Sequence, residues 1–116
     1  MSLKQSEGNL NTLKGFQKKY LRGLAHNMKP VVLIGQKGSS GTVINAIISA
    51  LTKHELIKVK FVDFKDKDQK TEILDAIIRE SGSENVGMVG HTVILYREHD
   101  DPEKRRIIVP QRNISG

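Results

Sequence analysis

The residues of this chain whose types and spacing point most directly to chemistry are Gly35-Gln36-Lys37-Gly38, two glycines bracketing a lysine tip. Phosphate oxygens can approach a backbone closely only where side chains are absent, and glycine also reaches positive φ angles. The stretch runs on into Ser39-Ser40-Gly41 and then an apolar-periodic segment. That places it before a helix, whose first N–H groups are unpaired and lie at the positive end of the helix dipole. Lys37 adds a mobile cation. The implied chemistry is capture of a phosphate.

A G-x-x-G run is also short enough to be an ordinary strand-to-helix turn, so its surroundings must decide. KH domains clamp nucleic-acid backbone with a loop of this kind. Just upstream, Lys14, Lys18 and Arg22 stand four residues apart, with Lys19 beside them. Like charges at this spacing repel by about a few tenths of a kcal/mol per pair, and a polyanion would relieve them. A solvated helix face is the bland alternative. No acidic residue between Lys14 and Lys53 offsets the stripe. Lys29, Lys58 and Lys60 are possible additional contacts, although Lys58 and Lys60 could equally guard a strand edge.

The charge distribution supports a localised anionic partner. The chain has 116 residues, a net charge of +6 and a pI of about 9.7. Residues 1–60 carry ten basic residues against two acidic ones, whereas residues 61–116 carry nine against eleven. A merely solubilising surface would mix the signs. Only five aromatic residues are present, so a base-stacking platform of the RRM type is not expected, and recognition should rest on backbone and shape.

Several chemistries find no support. Gly35 to Gly41 lacks the G-K-[ST] ending of a Walker A loop and the short first turn of a dinucleotide fingerprint. His26, His54, His91 and His99 show no metal-ligand spacing, and cysteine is absent, so neither a metal nor a cofactor is expected. Glu72 and Asp75 read as helix-surface charges, and no serine stands in a nucleophile elbow. Catalytic residues are therefore expected to be none. No apolar run approaches the roughly 20 residues that cross a bilayer, and the expectation is a cytoplasmic, monomeric protein. A DNA-binding protein and a nucleotide-binding enzyme stay open as alternatives.

These residues need elements to hold them. Leu13, Phe16, Tyr20 and Leu24 recur at helical spacing, predicting a helix to about Asn27, capped by Asn11 or Thr12 and ended before Pro30. Val31 to Ile34 reads as a strand buried on both faces. A second helix runs to about His54 on a stripe of Val43, Ile44, Ile47, Ile48 and Leu51, capped by Ser39 or Ser40. In Leu56–Phe64, Ile57, Val59 and Phe61 alternate with Lys58 and Lys60, the pattern of a half-buried strand. After a turn over Asp63–Asp68, a third helix runs from about Gln69 to Ser81, with Gly82 ending it. Val86–Val89 and Thr92–Arg97 form a hairpin through Gly90-His91, and Arg105–Val109 could add an edge strand. The order α-β-α-β-α-β-β predicts an α/β two-layer sandwich with a mixed sheet of about four strands. Residues 1–11 read as a flexible leader, 12–110 as a single domain and 111–116 as a tail.

Several blocks in order then resemble a known family. Leu21-Arg22-Gly23-Leu24-Ala25-His26, Lys29 through Gly35 and His54 through Lys60 are similar to the bacterial YhbY-like proteins. These are the stand-alone form of the CRM domain, named for chloroplast RNA splicing and ribosome maturation. The likeness continues through Ala76 to Gly82 and Gly90 to Arg97, and covers roughly Leu13 to Pro110. It implies a fold similar to the C-terminal domain of translation initiation factor three. It also implies RNA binding through the G-x-x-G loop, here Gly35, Gln36, Lys37 and Gly38, and adjacent basic surfaces. For bacterial members it implies association with ribosomal RNA in precursors of the large subunit; plant relatives carry the domain in organelle splicing factors. After the loop, the family often has an apolar residue and a threonine where this chain has Ser39-Ser40.

Overall fold

The computed structural model describes residues 12–63 and 66–112. The leader at 1–11, the last four residues of the tail, and Phe64 and Lys65 lie outside the described residues. In chain order the elements are α1 (Gly15–Ala25), β1 (Pro30–Ile34), α2 (Gly41–His54), β2 (Leu56–Phe61), α3 (Lys67–Ser81), β3 (Glu84–Val89) and β4 (Thr92–Tyr96). A short 3-10 turn follows at Pro102–Lys104. The strands lie in the order β1-β2-β4-β3, with β1 parallel to β2 and the other pairs antiparallel. This is the mixed four-stranded α/β sheet that the element order predicts.

Alternation sorts β2 onto two faces. Ile57, Val59 and Phe61 join Ile44, Ile47 and Leu51 of α2 and Leu74 and Ile77 of α3 in the main core. Each such side chain contributes about 1.5–3 kcal/mol by leaving water. Ser40 caps α2, its hydroxyl accepting from the Val43 N–H at 3.4 Å, and Asp66 caps α3 by accepting from Asp68 and Gln69. Gly82 ends α3 at φ +69, as its place after the periodic run predicts.

On the opposite sheet face α1 buries Leu21 and Ala25 against Leu56, Val86, Ile94 and Tyr96. This differs in phase from the stripe predicted for α1: Tyr20 and Leu24 are exposed, on one flank of the buried line. Equal spacings of three and four allow neighbouring faces, and Ala25, too small to weigh in a hydropathy pattern, marks the buried one. The cap also differs. Lys14 stands at the N-cap position, with its own N–H bonded to the Gln17 side chain at 2.8 Å.

Strand β1 is buried on one face only, contrary to the reading of its apolar run. Val32 and Ile34 enter the core, whereas Val31 and Leu33 are exposed. The reason is topological: β1 is an edge strand, and α1 packs on β2 and β3 rather than over it.

Residues 105–109 form no strand. They cross as an irregular segment fastened by Glu55, the one residue between α2 and β2. The buried Glu55 carboxylate accepts N–H bonds from His99 at 2.8 Å, Arg106 at 2.7 Å and Ile107 at 3.1 Å. Reversing the chain in one residue forces Glu55 to φ +63, a conformation that side chains adopt at a cost. Ile107 and Val109 pack onto the α1 cluster, and Gln17 of α1 donates to the Pro110 carbonyl at 2.9 Å.

Tyr96 lies in this same cluster. Burial, helped by Glu98 and Glu55 and opposed by Arg105, pushes its phenol from 10.0 up to about 12. The folded state therefore favours the neutral phenol. That contribution is complete below pH 10 and is lost as pH rises through 12. In a Tyr20→Phe protein, which keeps Tyr96 alone of the two tyrosines, tyrosinate absorbance should rise near pH 12, together with loss of structure. A rise centred at pH 10 in the folded protein would show that this phenol is not buried.

Candidate nucleic-acid interface

The glycine loop is a tight turn. The Gly38 N–H donates to the Gly35 carbonyl at 3.0 Å, which leaves Gln36 and Lys37 exposed at the tip. Gly38 sits at φ +57, where an L-residue costs about 1–2 kcal/mol. Gly35 is different. A Cβ added there meets nothing within 4 Å, and its φ lies outside the left-handed region. The backbone conformation thus accounts for Gly38, whereas neither conformation nor a close neighbour accounts for Gly35. Behind the turn, the N–H groups of Gly41 and Thr42 open α2 without intrahelical acceptors.

Strand register locates the loop. Ile34 is paired with Phe61, Lys60 with Thr92, and Thr92 with Val89. The Phe61 N–H donates to the His91 carbonyl at 2.8 Å, and that of Val62 to the Ile34 carbonyl at 3.0 Å. The glycine loop and the Gly90-His91 turn therefore share one end of the sheet. The start of α1 stands at the other end, where the Leu13 N–H donates to Glu84 at 2.6 Å and Glu84 is paired with Tyr96.

The basic residues singled out in the sequence fall along one face between these ends. Lys60 occupies the sheet row next to the loop, and Lys58 the next row on the same face. Lys58 Nζ donates to the His26 carbonyl at the end of α1, at 3.2 Å. Arg22 reaches β3: it donates to the Val86 carbonyl at 3.2 Å, and its stem lies so close that a Cβ on Gly87 would meet its Cδ at 2.8 Å. Lys18 lies one turn earlier, Lys19 faces outward, and Lys29 precedes β1. Lys14 is brought least close to the loop, at the far end. None of Lys14, Lys18, Lys19, Lys29, Lys37 or Lys60 makes an ion pair among the described residues. Their charge faces solvent.

Sequence reasoning did not find the exposed apolar residues beside these cations, Tyr20, Leu24, Val31 and Leu33, because it assigned all four to the core. For Val31 and Leu33 the signal is the position of β1 at a sheet edge, where one face lacks a covering helix, and for Tyr20 and Leu24 it is the alternative helical face marked by Leu21 and Ala25. Two open concavities among the described residues lie away from the glycine loop: one is lined by residues including Lys14, Ser83 and Arg97, the other by residues including Lys53, His54 and Arg106. No group of three His, Asp or Glu residues among the described residues is placed to hold a metal ion. No helix among them is long and apolar enough to cross a membrane.

Comparison with known proteins gives a consistent result. An "RNA-binding protein" from Haemophilus influenzae is 41% identical over 103 residues, spanning 89% of this chain and all of the relative. The "Probable RNA-binding protein YqeI" of Bacillus subtilis is 35% identical over 98 residues, 84% of this chain and 99% of the relative. The solution structure of the hypothetical protein SAV1595 from Staphylococcus aureus superposes with a TM-score of 0.70 at 34% identity, covering 85% of this chain and all of that one. The model of the CRS1 / YhbY (CRM) domain matches residues 13–97, which hold every strand and all three long helices among the described residues. The chain belongs to the CRS1 / YhbY (CRM) domain family.

Proposed function

We propose that this chain is an RNA-binding protein without a reaction of its own, which grips the phosphate backbone at Gly35-Gln36-Lys37-Gly38 and along the basic face. The observation that carries the reading is Gly35, a glycine that no internal contact requires, at the mouth of a turn tipped by Lys37. Phosphate can approach there, and Lys60, Lys58, Lys29, Lys18, Lys19 and Arg22 continue the positive surface away from it, with Lys14 at its far end. The names of the relatives agree with RNA as the polyanion. The resemblance to stand-alone bacterial members favours ribosomal RNA in precursors of the large subunit, with the protein acting as a monomeric assembly factor in the cytoplasm.

Two measurements test this. About six phosphate contacts predict that log K for a structured ribosomal RNA fragment falls with log salt at a slope of roughly −4 to −5. A slope near zero would remove the electrostatic basis of the proposal. In sucrose gradients of gently prepared lysate the protein should sediment with immature large-subunit particles. A protein that stays wholly at the top would refute the assembly role while leaving binding to free RNA to be decided by the salt series.

A further inference from the structure

The basic face contains an apolar strip that the backbone grip does not use. Tyr20 is 42% exposed and Leu24 44%, on the flank of α1 opposite Arg22. On the sheet face that α1 leaves open, Val31 is 50% and Leu33 58% exposed on β1. Lys58 and Lys60 stand on the same face of β2, with Leu33 paired to Lys60 one row from the glycine loop. Since Arg22 reaches toward β3, the Tyr20 flank of α1 is the one turned away from β3. Val31, Leu33, Lys58 and Lys60 thus share the open sheet surface on the loop side of the end of α1, and Tyr20 lies on the same side of the sheet, farther from the loop.

Charge complementarity decides what fits it. Neither α1, β1 nor β2 contains an acidic residue, so a second copy of this face would set lysine against lysine. A purely apolar partner would strip water from Lys58 and Lys60 without replacing it. A nucleotide answers both halves, with its phosphate near the lysines and its base on the ring and the aliphatic floor. A base paired within a duplex has no free face to offer. Resting on the RNA-binding reading above, we infer that Tyr20 stacks on an unpaired base of the bound RNA, farther along the basic face from the backbone segment held by the glycine loop, with Lys58 between them. The preferred RNA is then a helix with an adjoining unpaired segment rather than a blunt duplex.

The test uses the full chain, fluorescence anisotropy, and two labelled RNAs: a hairpin with a short unpaired extension and the same hairpin cut blunt. Loss of one base–aromatic stack reduces affinity by roughly 5-fold to 100-fold. Tyr20→Ala should therefore weaken binding to the extended hairpin at least 5-fold and leave the blunt one unchanged, while Tyr20→Phe, which keeps the ring, should bind both like the parent. Unchanged thermal melting of both variants separates these effects from unfolding. Equal weakening for both RNAs, or a Tyr20→Phe loss matching that of Tyr20→Ala, would overturn the inference. If Gly35→Asp weakens both RNAs and Tyr20→Ala weakens neither, base stacking fails and the backbone grip stands. If neither variant alters either RNA, both readings fail.

Discussion

Glu55→Ala is expected to lose about 3–5 kcal/mol of stability, a large part of the 5–15 kcal/mol typical of a domain. The carboxylate satisfies three backbone N–H groups from two stretches of the C-terminal segment. Truncation leaves those donors without an acceptor, at about 1–3 kcal/mol each, less whatever water recovers. It also loosens Ile107 and Val109 from the α1 cluster. The backbone gives a second handle. Alanine keeps the penalty of φ +63, whereas glycine removes it, so Glu55→Gly should be more stable than Glu55→Ala by roughly 1 kcal/mol. Urea unfolding of the three proteins measures both differences. A Glu55→Ala midpoint within 1 kcal/mol of the parent would show that the carboxylate does not fasten the segment.

Gly35→Asp is expected to lower affinity for structured ribosomal RNA by about 10-fold to 100-fold, while unfolding changes by no more than about 0.5 kcal/mol. Both halves follow from one observation. A Cβ at position 35 meets nothing within 4 Å and φ there is not left-handed, so the fold is expected to tolerate a side chain. The same open space is where a phosphate would approach, and a carboxylate there both blocks and repels it. Position 38 is a poorer probe, because its positive φ makes any substitution destabilising in itself. Anisotropy titration beside a thermal melt separates binding from folding. An intact fold with undiminished affinity would remove the loop from the site.

The contrast between Gly35 and Glu55 shows what the sequence made legible. Patterns of local origin could be read directly: the alternation of Ile57, Val59 and Phe61 with two lysines, the stripe of α2, Gly82 after α3, and the strand–glycine loop–helix order. What could not be read depends on neighbours distant in the chain. Whether Val31 and Leu33 meet a helix is settled by where α1 lands. Which of two adjacent faces of α1 is buried is settled by the partners of Leu21 and Ala25. Glu55 resembles any helix-end acid until residues 99–107 are seen to fold back over it. The candidate phosphate loop was legible because it is short and contiguous. The exposed apolar residues of α1 and β1 were not, because their exposure is defined by which surfaces other elements leave uncovered.

The bond between Gln17 and Pro110 and the shared packing of Leu13, Ile107 and Val109 have an architectural consequence. The segment that leads into α1 and the segment around Pro110 are neighbours, at the end of the sheet away from the glycine loop. A unit with adjoining entry and exit behaves as a cassette: it can be set within a longer polypeptide or strung in tandem without parting its layers. Its neighbours in such a chain would emerge beside Lys14, at the end of the basic face farthest from the glycine loop.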